Sequence, residues 1–111
     1  MTETEISRTV LDVLRLAFPP PGAWWHRNNT GKVKRKGGCF VVYGLGNGGP
    51  DIVGCVDGRW VAVEVKVPGK WQEPDQQAWQ VQHELSGGVY VLAHDAREAI
   101  DGVKRGLEVA A

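Results

Sequence analysis

Asp57-Gly58 lies between two runs rich in β-branched and apolar residues, 51–56 and 59–67. An Asp-Gly pair in that setting is a strong hairpin signal, because both central residues of a two-residue type I′ turn take positive φ. Such a turn leaves one register. Val56 faces Arg59, Ile52 faces Val63 and Asp51 faces Glu64. Side chains alternate along a strand, so Ile52, Val56, Val61, Val63, Val65 and Val67 share one face, the expected core face. Asp51, Glu64 and Lys66 share the other, together with Trp60.

That register sets two carboxylates opposite each other, with Cβ atoms roughly 5 Å apart, where like charges destabilise a ladder. Lys66 can offset one of them, which would make a purely structural ion cluster. A hard divalent cation explains the pair better, because carboxylate oxygens suit Mg²⁺ and the ion keeps waters for chemistry. With the cation in place a phosphate can approach, and Lys66 then stands beside it as a positive charge.

The remaining chain reads as one α/β domain of 111 residues. Its 42% hydrophobic and 23% charged content is that of a globular protein rather than a disordered one. Ile6, Val10, Val13, Leu14 and Ala17 fall at helical spacing, Thr2 and Glu5 fit a capping box, and Pro19-Pro20-Pro21-Gly22 stops the helix. Residues 23–38 predict a short strand and a loop, and 39–43 a further strand followed by a glycine-rich turn. Pro74 opens a helix to about Leu85, 89–93 is an apolar strand, and Asp95 caps a last helix to about Gly106. The last strand arrives through a helical crossover, so the sheet is expected to be mixed and flanked by helices. Cys39 and Cys55 lie in apolar runs and are expected to be buried thiols. No apolar run is long enough to span a membrane, and Met1–Glu5 lacks a signal-peptide pattern, so a cytoplasmic location is expected.

A net charge of zero hides an uneven distribution. Residues 13–50 carry six basic residues and no acid, residues 51–111 carry ten acids and six bases, and residues 1–12 carry three acids and one base. Local charge decides what a surface attracts, and the basic block suits a polyanion.

Pro50-Asp51, twelve residues, then Glu64-Val65-Lys66 resembles the PD-(D/E)xK signature of restriction-endonuclease-like nucleases. Arg27-Asn28-Asn29-Thr30-Gly31, the run from Gly46 to Gly54, Gly58-Arg59, and Gln76-Gln77-Ala78-Trp79 leading to Gly87-Gly88 are similar to the VRR-NUC (virus-type replication-repair nuclease) branch. The similarity runs from about Glu3 to Ala99, as in a stand-alone, phage-like member, with residues 1–111 forming a single nuclease domain. The resemblance implies a restriction-endonuclease-like core and a Mg²⁺- or Mn²⁺-dependent DNA endonuclease. It further implies a homodimer, selective for branched DNA such as Holliday junctions and working in the host cytoplasm if phage-encoded. Asp51 and Glu64 would bind metal, with the Val65 carbonyl as a further ligand and Glu5, or Glu3 in its place, completing the site. Lys66 would be the catalytic lysine, as base, water-orienting group or charge stabiliser, and Gln76 would face the site. Arg27, Lys32, Lys34, Arg35 and Lys36 would contact phosphates, and Asn28 and Asn29 would hydrogen-bond the DNA backbone.

Other readings fit less well. Gly44-Leu45-Gly46-Asn47-Gly48-Gly49 matches G-x-G-x-x-G, but a strand follows it where a dinucleotide site needs a helix. His26, His83 and His94 lack metal-ligand spacing with the cysteines. Trp79 is expected in the core; for Trp60 and Trp71 core packing is the expected role too, with stacking on unpaired bases as the alternative. A DNA-binding module that does not cut remains the alternative to an enzyme, and a partner-binding domain without DNA affinity is a third reading.

Overall fold

The computed structural model describes residues 1–109. The first helix, α1 (Glu3–Ala17), starts where the sequence puts it: the Thr2 hydroxyl accepts the Glu5 N–H at 3.2 Å, and the Glu5 carboxylate accepts the Thr2 N–H at 3.2 Å. It buries Ile6, Val10 and Leu14, with Ser7 between them. Val13 is only half-buried and Ala17 is exposed, so the apolar stripe is narrower than the spacing predicts.

Four strands form the main sheet, in the order β1 (Ala23–Arg27), β4 (Ile52–Val56), β5 (Arg59–Val65) and β6 (Val89–Ala93). The first two pairings are antiparallel, and β5 pairs parallel with β6. The turn between β4 and β5 has φ of 49° at Asp57 and 82° at Gly58, as a type I′ turn requires. Its register is the expected one, Val56 opposite Arg59 and Ile52 opposite Val63. Two helices complete the chain: α2 (Pro74–Leu85) and α3 (Ala96–Glu108), the latter capped by the Asp95 carboxylate accepting the Glu98 N–H at 2.8 Å.

The core lies between the sheet and the pair α1 and α3. Ile52, Val61, Val63 and Val65 project into it from the sheet, with Leu14 from α1 and Val103 from α3, and all are fully buried. By alternation Ala62, Glu64, Tyr90 and Leu92 take the opposite face, and α2 covers part of that face against β6. The structure is thus mixed α/β, a mixed sheet flanked by helices. None of the described helices is long and apolar enough to cross a membrane.

Two expectations need correction. Residues 31–34 and 40–43 form β2 (Gly31–Lys34) and β3 (Phe40–Tyr43), a two-stranded ribbon separate from the main sheet, with Val33, Phe40, Val41, Val42 and Tyr43 all exposed. Both cysteines are exposed, not buried. Cys39 lies at the ribbon tip, where its carbonyl accepts the Arg35 N–H, and Cys55 falls on the outward parity of β4 opposite Trp60. An apolar run therefore does not imply burial when its strand has one uncovered face.

Leu14→Ala should cost about 2–5 kcal/mol of stability, since a fully buried side chain leaves a cavity. Leu16→Ala, at an 81% exposed position two residues on, should change stability by less than about 0.5 kcal/mol. Urea unfolding of both variants checks the stripe.

Candidate active site

Asp51 immediately precedes β4, and its side chain is used twice. Oδ2 accepts the Val65 N–H at 2.8 Å, which ties the start of β4 to the end of β5. The carboxylate also stands near enough to Glu64 to raise its pKa. Glu64 is 2% exposed, and its Oε1 is buried with no hydrogen-bond partner among the described residues. Its Oε2 accepts a hydrogen bond from Gln76 Nε2 and lies 3.8 Å from Lys66 Nζ.

Gln76 gains its position from the start of α2. Its Oε1 accepts the Glu73 N–H at 2.7 Å, a backbone donor that the helix itself leaves unpaired, while its amide nitrogen reaches Glu64. One side chain therefore closes the helix end and orients the acid. The glycine-rich loop presses on the same helix end: a Cβ on Gly48, which has φ of 80°, would collide with the Asp75 carbonyl. Trp79 Nε1 donates to the Leu45 carbonyl at 2.9 Å. Gly48 thus serves close packing of the loop against α2.

Burial is the largest influence on Glu64, followed by Asp51, and together they push its pKa up to about 9 against the pull of Lys66. In the absence of a cation the Asp51–Glu64 pair therefore holds a proton at neutral pH. Glu3 is also raised, through burial and then Asp51, with Lys66 opposing.

Glu3, not Glu5, is the α1 acid that faces this site. Glu5 is bound to Thr2 in the capping box, exposed, and its pKa is lowered by those bonds. A pocket of about 200 Å³ is lined by Glu3, Thr4, Ser7, Arg27, Asn29 and Asp51, among others. The physical reason is helical phase. Glu3 lies one turn before Ile6 and Ser7 on the inward side, whereas Glu5 continues to Thr9 and Asp12, on the outer side.

Asn28 also has another task. Its amide donates to the Pro50 carbonyl at 2.8 Å and to the Thr30 hydroxyl at 3.0 Å, and its backbone N–H donates to the Asp51 carbonyl at 2.8 Å. It braces the residues that carry Asp51, and both protons of its amide nitrogen are already engaged. Arg27 and Asn29 are exposed at the pocket beside Asp51. Lys32 and Lys34 lie on the β2–β3 ribbon with Arg35 and Lys36 at its tip, all exposed. Pairing places Lys32, Lys34, Phe40 and Val42 on one face of that ribbon. Val65 points its side chain into the core, and its N–H is held by Asp51. Trp79 is half-buried rather than in the core.

The donor set suits a hard divalent ion: Asp51 and Glu64 bring oxygens only, and one buried Glu64 oxygen lacks any partner. Among the described residues no three His, Cys, Asp or Glu side chains converge as a ready cage. Mg²⁺ needs none, because one or two carboxylates plus substrate phosphate and water are its usual shell.

A carboxyl whose folded pKa is raised stabilises the protein fully below its ordinary pKa, and that stability is lost as pH rises towards about 9. Glu64→Gln stays neutral throughout. Measured in EDTA, its stability relative to the parent should therefore climb between pH 5 and pH 9, by on the order of 1–3 kcal/mol at the upper end. Parallel pH profiles of the two proteins would show that Glu64 titrates normally.

No protein-family model matches the chain, and no curated protein matches it either.

Proposed function

We propose that this protein is a Mg²⁺- or Mn²⁺-dependent DNA endonuclease with a restriction-endonuclease-like core, of the VRR-NUC branch. One observation carries the reading: Asp51 and a buried Glu64 with an unpartnered oxygen meet at the end of β5, with Lys66 Nζ 3.8 Å from Glu64. Held together without a cation, two carboxylates at this spot weaken the fold; with one, they become a phosphate-binding centre.

A divalent ion held there would supply Lewis acidity towards a phosphodiester and a water. The chain's own groups do the rest. Asp51 and Glu64 would hold the ion, and the Val65 carbonyl and Glu3 are the candidates to extend the shell. Gln76 keeps Glu64 turned towards Asp51. Lys66 adds positive charge where negative charge grows on the phosphate as the water oxygen bonds phosphorus. One P–O ester bond breaks, and the leaving alkoxide takes up a proton. Arg27 and Asn29 stand beside Asp51 to position the strand, while Lys32, Lys34, Arg35 and Lys36 hold phosphates farther out.

Selectivity for branched DNA such as Holliday junctions, and a homodimer, complete the reading. One chain carries one such site, and paired cuts on two strands need two. The alternative, a DNA-binding module that does not cut, draws on the proton that the Asp51–Glu64 pair holds without metal and on the lack of a ready cage.

Labelled four-way junction, flap and linear duplex DNA, incubated in Mg²⁺, Mn²⁺ or EDTA, separate the two. Metal-dependent cutting is expected, reduced about 10²-fold or more in Asp51→Asn, Glu64→Ala and Lys66→Ala while DNA binding persists. Replacing Lys32, Lys34 and Lys36 by alanine should flatten the log–log salt dependence of binding by about 2–3. Intact DNA in every lane with a salt-sensitive gel shift would establish the binding module instead.

A further inference from the structure

A second cavity, of about 420 Å³, opens on the outward face of the sheet between β5 and α2. That volume is in the range of small-ligand pockets. Trp60, Trp79 and His83 form its wall, and Asn47, Asp75 and Gln82 its rim. We infer that this pocket receives an unpaired nucleobase of the DNA strand crossing the Asp51–Glu64 site. The inference rests on the nuclease reading for its partner and explains how such an enzyme would prefer branched or frayed DNA.

The rings are held before any ligand arrives. Trp79 stacks on His83 with centroids 5.0 Å apart and planes 23° apart, and its indole N–H is anchored on Leu45. Trp60 stands edge-on to both, 4.8 Å from His83 and 5.9 Å from Trp79. Anchoring α2 does not require Trp60 to be open, yet it is 46% exposed. A preset aromatic wall loses little freedom when a flat ring stacks on it.

His83 is a fixed part of that wall: it is 3% exposed, and its Nε2 lies 2.8 Å from the Val89 carbonyl. The amides of Asn47 and Gln82 at the rim match the donor and acceptor pattern of a base edge. No Lys or Arg lines the pocket, and Asp75 stands at the rim, so a phosphate is disfavoured there.

Position ties the pocket to the candidate active site. Trp60 and Glu64 are four residues apart on one face of β5, about 13 Å, which is a few nucleotides of strand. A base stacked and paired in duplex DNA cannot reach Trp60 without leaving the helix, and an unpaired base near a junction can.

The test places a single 2-aminopurine at successive positions of a flap and a four-way junction, with Ca²⁺ replacing Mg²⁺ to hold the full-length protein on uncut DNA. The emission should change at one or two adjacent unpaired positions only. Trp60→Ala should abolish that change and weaken binding to branched and single-stranded DNA about 5- to 100-fold, while leaving duplex binding in place. Trp60→Phe should restore most of both. Unchanged emission at every position with the wild-type protein, or equal affinities for wild type and Trp60→Ala, would overturn the pocket. Wild-type protein that cuts in Mg²⁺ without any emission change sinks the pocket alone. Protein that shows the localised change but never cuts supports the pocket and sinks the nuclease reading.

Discussion

The bond from the Val65 N–H to Asp51 holds the candidate active site together. It fastens the residue before β4 to the end of β5, so the Asp57-Gly58 turn at one end of the hairpin and Asp51 at the other fix the same register. With that register set, Glu64 must face Asp51, and the valines on the opposite parity must fill the core against α1 and α3. A slip of one residue would turn Glu64 into the core and Val63 and Val65 out of it. Packing and the acid pair are thus two consequences of one alignment.

The acid pair makes the fold carry an electrostatic load. Buried beside Asp51, Glu64 keeps a proton up to about pH 9, and neither Lys66 at 3.8 Å nor the Gln76 amide offsets that burial. A structural role would be met more cheaply by Gln at position 64. The brace that Asn28 gives to Pro50 and Asp51, and the bridge that Gln76 makes from the α2 start to Glu64, keep the acids aligned. Groups fixed this way need no reorganisation when charge develops nearby, the property that the proposed catalysis requires.

Much of this was legible in the residues because local rules agreed with tertiary structure. The Asp-Gly turn, the Thr2 cap, the Pro74 start and the Asp95 cap all act over a few residues. What was hidden depended on distant partners. Glu5 suited the helix cap by spacing and the metal site only through the resemblance to VRR-NUC nucleases, and the choice of Glu3 followed from helical phase: Glu3 sits ahead of the stripe Ile6, Val10 and Leu14, whereas Glu5 does not. Asn28 looked like a DNA contact until its amide was seen on Pro50. The run 39–43 looked like a sheet strand because its apolar residues cannot tell from sequence whether anything covers them, and in the β2–β3 ribbon nothing described does. Trp79 and His83 were separate residues in the sequence, and only α2 lying against the sheet joins them to Trp60.

The measurement that tests the central claim most directly is calorimetric titration of the protein with Mn²⁺ at pH 7.5, repeated in two buffers of different ionisation enthalpy. If Asp51 and Glu64 form the cation site, binding should release close to one proton per ion, from the Glu64 carboxyl, and Glu64→Gln should lose both the binding and the release. Binding of equal strength in Glu64→Gln, or no binding by the wild-type protein, would contradict the assignment of this acid pair to a metal.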